Sequence, residues 1–111
     1  MLLMLALLVT VERPVVVSSL TTAQLVEQCR GKDDDPLPSF CSGYIIGVFD
    51  TLSQTQQICP APSHASTNDM VATVRKYLRK RGEKATAAPA FVVRDALKSA
   101  FPCARSPRKR K

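Results

Sequence analysis

Hydrophobic positions recur at helical spacing in four stretches of the chain. In the first, Leu20 and Leu25 sit where a hydrophobic staple belongs, and Thr21 with Gln24 makes a capping box, so a helix is expected from Thr22 to Cys29. Gly31 stops it, and residues 32–38, which carry three aspartates and two prolines, are not helical in pattern. Ser39 offers an N-cap for a second helix from Phe40 to about Thr55. At 100° per residue, Cys41, Tyr44, Ile45, Val48 and Leu52 fall on one face of it, with Gly43, Gly47 and Asp50 almost opposite. After a loop with Pro60 and Pro62, Ser66 can cap a third helix whose stripe is Met70, Val71, Val74, Tyr77 and Leu78, with Gly82 as its C′ residue. Thr86 is the expected cap of a fourth, which tolerates Pro89 in its first turn, buries Val92, Val93, Ala96, Leu97 and Ala100, and ends at Pro102. No stretch alternates with period two. The expected fold class is therefore all-α, a small disulfide-stapled four-helix bundle behind an N-terminal signal-like segment.

Length fixes this as one domain: the chain has 111 residues, and 92 remain from Leu20 onward. A core that small is marginal without staples. Four cysteines can supply them, and geometry selects the pairs. A helix from Cys41 to Thr55 spans about 21 Å, which the following four residues cannot retrace to within the ~7 Å Cα limit of a disulfide. In an up-down bundle Cys29 ends helix one beside the start of helix two, while Cys59 and Cys103 share the other end. The expected bridges are Cys29 with Cys41 and Cys59 with Cys103. A metal site is the competing use of these thiols, but the sequence has no C-x-x-C and its one histidine, His64, stands in a loop.

Residues 1–9 are free of charge and of signal-core length, too short to span a bilayer, and Val17, Ser18 and Ser19 provide small residues for a peptidase. Residues 1–19 are thus expected to be a signal peptide, with a disordered or interfacial amphiphilic arm as the alternative. Four thiols in so short a chain argue the same way, for an oxidising compartment. The mature protein then has no transmembrane span. Net charge is +7, but Arg105, Arg108, Lys109, Arg110 and Lys111 contribute five of those charges, and without them the balance is +2. The body is not a polyelectrolyte binder, and no specific nucleic-acid partner is expected. Residues 104–111 read as a disordered basic tail, with attraction to anionic lipid headgroups or stray nucleic-acid affinity as weak alternatives.

The combination Phe40-Cys41-Ser42-Gly43-Tyr44-Ile45-Ile46-Gly47-Val48-Phe49-Asp50, Ile58-Cys59-Pro60, Val74-Arg75-Lys76-Tyr77-Leu78 and Phe101-Pro102-Cys103 resembles the Rap/Tai family of immunity proteins. The resemblance runs from about Thr21 to Cys103, so residues 20–103 form the expected immunity domain. It implies an exported, periplasmic, disulfide-bonded, all-α protein, often a homodimer. Such a protein binds and sterically blocks a peptidoglycan amidase effector delivered by a type VI secretion system. The chain departs from the family at Lys80, Arg81, Gly82, Glu83 and Lys84, where many members have a His-Pro turn, and in its basic tail.

An enzyme needs a positioned base and nucleophile or a metal, and neither His64 nor oxidised cysteines supply them, so no catalytic activity, metal or cofactor is expected. A binding module is the leading class, with a small periplasmic stress chaperone as the alternative. Partner contact is expected at Lys80, Arg81, Gly82, Glu83 and Lys84, a protruding, charged link with Gly82 able to adopt φ > 0. Basic residues 75, 76, 79, 80, 81 and 84 line one side and the end of helix three, where they also suit the helix dipole. Gly43 and Gly47 have the spacing for close helix contact, either within the chain or with a dimer mate, and Asp50 beside them either pairs with an arginine or is solvated. Tyr44 and Tyr77 serve as core residues with wet hydroxyls or as partner anchors. Asp33, Asp34 and Asp35 read as a solvated triplet, with a cation or a basic effector rim as the sharper alternative.

Overall fold

The computed structural model describes residues 14–30, 39–64 and 66–103. Four helices carry the fold: α1 (Thr22–Gln28), α2 (Phe40–Gln54), α3 (Thr67–Arg81) and α4 (Pro89–Ala100). Short 3₁₀ turns at Pro62–His64 and Gly82–Lys84 complete it. No strand occurs among the described residues. Residues 1–13 of the expected signal segment, the Asp33, Asp34 and Asp35 triplet, and residues 104–111 of the expected basic tail lie outside them.

Local chemistry explains each start. The Thr21 hydroxyl accepts from the Gln24 backbone N–H at 3.1 Å while the Gln24 side chain accepts from the Thr21 N–H at 2.9 Å, the reciprocal box anticipated from sequence. Ser39 caps α2 by accepting from the Ser42 N–H. Ser66 takes the cap position of α3 with no side-chain cap bond. Helix α4 begins later than expected: Ala88, not Thr86, is its N-cap, because Pro89 fixes the first helical φ and forces Ala88 into extended backbone at ψ 151°.

Helix α2 ends where expected, with Thr55 as its C-cap, but the form of its closure was not foreseen. Gln56 has φ 59°, its N–H donates to the Ser53 carbonyl, and the Gln57 N–H donates to the Leu52 carbonyl at 2.9 Å. This is a Schellman closure with glutamine in the place glycine usually holds. It turns the chain sharply enough to bury Ile58 in the core one residue before Cys59.

The core is shared by all four helices. Leu25, Ile45, Val74, Leu78, Val93 and Leu97 are essentially inaccessible. The anticipated faces hold, except that Ala100 is exposed, and Tyr44, Tyr77 and Val48 are only partly buried at the margin. Both expected disulfides are present, Cys29–Cys41 with Cα atoms 4.9 Å apart and Cys59–Cys103 at 4.7 Å. The second bridge is reinforced by the Cys59 N–H donating to the Phe101 carbonyl at 3.0 Å, and by an edge-to-face contact of Phe49 with Phe101 at 5.6 Å. By loop entropy the bridges contribute about 3 and about 4 kcal/mol, comparable with the whole stability of a domain this size.

Candidate functional site

Residues 80–84 form a corner rather than a free loop. Gly82 is buried with φ −64° and ψ −38°, right-handed helical, so the expected left-handed conformation is absent. Its glycine character is required by proximity instead: a Cβ placed there would collide with a Cγ of Val26 on α1. A side chain fits nowhere in that contact, so the Gly82–Lys84 turn lies flat against α1. Thr22 holds the other end of the connection: its hydroxyl, on a buried residue, donates to the Ala87 carbonyl at 2.7 Å. The link therefore does not protrude as a flexible plug; it is a stiff shelf strapped across α1.

On the outer side of that shelf Lys80, Arg81, Glu83 and Lys84 are all exposed. Arg81 lies over the Tyr77 ring, 5.3 Å from its centroid, which fixes a guanidinium on a surface that would otherwise let it wander. Arg75 does not belong to the basic side at all. It is 3% exposed, and its guanidinium donates to the carbonyl of Cys29 at 3.1 Å. A second bond reaches the Arg30 carbonyl at 3.5 Å. Those carbonyls end α1, and a buried cation there satisfies unpaired acceptors where the helix dipole is negative. Helical spacing alone placed Arg75 with its basic neighbours; no local signal distinguishes it, because its partner is 46 residues away.

The second candidate face lies on α2. Gly43 and Gly47 are exposed, and a Cβ at either would meet nothing within 4 Å. Among the described residues, no helix packs closely on them. Asp50 is likewise exposed on that side. The adjoining surface forms a groove of about 720 Å³ between α2 and α4. Tyr44 lies on its wall, where partial burial raises its phenol above the ordinary value of 10. Phe40, 52% exposed, is 6.1 Å from Tyr44 ring to ring.

Among the described residues, no three His, Cys, Asp or Glu side chains are gathered as a metal site would need, and no helix is long and apolar enough to cross a membrane. Compared with known families, residues 21–103 match the model described as Rap1a immunity proteins. No curated protein and no solved structure matches the chain significantly.

Proposed function

The chain belongs to the family of Rap1a immunity proteins, and from that premise we propose that it protects a cell by binding a peptidoglycan amidase effector of a type VI secretion system in the periplasm and occluding its substrate groove. The family points to a secreted effector as partner, and two disulfides suit an oxidising compartment. The observation that carries the mode of binding is the shelf at residues 80–84. Burial of Gly82 on Val26 and the Thr22 bond to Ala87 hold its backbone before any partner arrives. A surface ordered in advance loses little entropy on docking, which is what a tight stoichiometric inhibitor needs. Its charges supply recognition: Lys80, Arg81 and Lys84 steer the shelf toward an acidic rim, and Arg81 is already oriented by Tyr77.

The test is calorimetric titration of the full chain into a purified type VI amidase effector, with release of muropeptides as the functional readout. Tight one-to-one binding that abolishes release is the expected result. Charge reversal in Arg81→Glu/Lys84→Glu should weaken it about thirtyfold, roughly 2 kcal/mol, with the helical circular dichroism unchanged. A folded double variant with the same affinity would remove the shelf from the interface. Weak binding spread over unrelated unfolded clients, strengthening at low pH, would replace the immunity reading with a chaperone one.

A further inference from the structure

We propose that Cys59 is a thiol-exchange site of the folded protein: a dithiol reductant of the thioredoxin-like class attacks its sulfur, opens the Cys59–Cys103 bridge without unfolding the bundle, and thereby sets how long the Cys29–Cys41 bridge survives. The two bridges differ first in access. Cys29 is 3% exposed and Cys41 fully buried, so an attacking thiolate does not reach them while α1 and α2 stay packed. Cys59 is exposed and Cys103 half-buried. Cys59 also follows the turn at Gln56 and the buried Ile58, so its backbone is held in place while the residue meets solvent.

The exchange runs through a mixed disulfide. A thiolate of the reductant bonds to the Cys59 sulfur, the Cys59–Cys103 bond breaks, and Cys103 leaves as a thiolate that takes a proton from water. The second thiol of the reductant, deprotonated, then attacks its own sulfur in the mixed disulfide and releases Cys59. Net, two electrons and two protons pass from the dithiol to the bridge.

The ends stay together after the bond opens. The Cys59 N–H donates to the Phe101 carbonyl at 3.0 Å, the Phe101 N–H donates to the Leu97 carbonyl at 2.8 Å, and the Phe101 ring meets Phe49 edge to face at 5.6 Å. None of these contacts needs the sulfur bond. What is lost is the closure of a 44-residue separation, which by loop entropy raises the unfolded fraction roughly a thousandfold. Cys29–Cys41, in the core, becomes reachable only through opening of the fold, so its reduction follows that fraction. One accessible bond therefore governs the lifetime of an inaccessible one. The inference is independent of the effector reading, since it involves neither a partner nor the shelf at 80–84.

The test begins with the full oxidised chain in native buffer and a thioredoxin whose second active-site cysteine is replaced by serine, which traps the mixed disulfide. Peptide mapping should find one adduct, on Cys59. An adduct on Cys29, Cys41 or Cys103, or one that forms only in urea, would overturn the proposal. With dithiothreitol and acid quenching, Cys29–Cys41 should open after a lag and only in chains already open at Cys59–Cys103; chains open at Cys29–Cys41 alone, as local opening of α1 would give, would refute the order. In Cys59→Ser/Cys103→Ser the helical circular dichroism should persist while the core amides of Leu78 and Val93 exchange at least about a hundredfold faster than in the oxidised parent. A variant without helical signal would show that opening the bridge unfolds the bundle, and unchanged core exchange would show that the bridge does not protect Cys29–Cys41; either result would overturn the inference.

Discussion

Gly82→Ala tests whether the shelf is set by packing or by backbone freedom. The residue is right-handed helical at φ −64°, ψ −38°. Alanine adopts that conformation readily, and the substitution would by itself stabilise the protein by about 0.4–1 kcal/mol through the unfolded chain. The added methyl, however, lands on a Cγ of Val26, with Leu78 atoms 3.7 and 3.8 Å away on the same side. Val26 is β-branched and sits inside α1, where one rotamer dominates, so it cannot swing aside cheaply. Inserting a methyl into such a contact costs about 1–3 kcal/mol. The net expectation is a loss of about 1–2 kcal/mol, a fall in Tm of roughly 5–10 °C for a domain of this size.

The partner substitution makes the reasoning decisive. Val26→Ala alone removes two methyl groups from a nearly buried site and should cost about 2 kcal/mol. In Gly82→Ala/Val26→Ala the new methyl occupies the space the valine vacated, so the double variant should lose about 2 kcal/mol in all, less than the two single losses together. A coupling of about 1–2 kcal/mol is therefore expected from denaturant unfolding of the four proteins under non-reducing conditions. Gly82→Ala as stable as the parent, or single effects that add within about 0.5 kcal/mol, would refute the contact. A glycine needed for φ > 0 would instead lose stability in either Val26 background.

Other positions give sharper single readings. Cys29 and Cys41 are buried while Cys59 is exposed, so limiting reductant followed by alkylation and mass spectrometry should label Cys59 and Cys103 first, and labelling of both pairs at one rate would contradict the packing. Arg75→Met keeps the volume but leaves the Cys29 carbonyl without its buried donor, an expected loss of about 2–3 kcal/mol in urea unfolding; a change below about 0.5 kcal/mol would show the pin to be idle. Gln56→Gly relieves a side chain from the left-handed region at φ 59° and should raise stability by about 0.5–1 kcal/mol, whereas a fall would mean that the glutamine side chain contributes to the turn.

What the sequence discloses and what it hides divide along the range of the interactions. The Thr21 box, the Ser39 cap, the valine and leucine stripes and the ends at which the cysteines lie are settled within a few residues, and each was readable. The cysteine pairs followed from helix length together with the up-down arrangement, because a 15-residue rod cannot bring Cys59 back to Cys41 and leaves it at the end that Cys103 shares. Gly82, Arg75 and Thr22 were misread or passed over for one shared reason: each is defined by a residue on another helix. A glycine after a basic helix end resembles a left-handed cap, and an arginine among lysines resembles a surface charge, until α1 is laid beside them. Thr86 lost to Ala88 for a local reason, since a proline at the first helical position overrules a competing hydroxyl two residues earlier.

These tertiary contacts also connect the fold to its proposed use. Helix α1 has only 7 residues, too few to persist alone in water. It is held by the Cys41 bridge and the Arg75 guanidinium at its end, by the Thr22 bond at its start, and by Gly82 against its middle. The same contacts that keep α1 in place immobilise the shelf that α1 supports. Loosening α1 should therefore cost binding as well as stability, even though Val26 and Thr22 are buried where no partner reaches them. Thr22→Val separates the two effects: it preserves shape and apolar packing but removes the donor to Ala87, so the core should lose about 1 kcal/mol while the shelf gains freedom. If pre-ordering of the shelf underlies affinity, the binding entropy of the variant becomes less favourable at unchanged surface charge. An unaltered calorimetric profile would mean that residues 80–84 bind by charge alone.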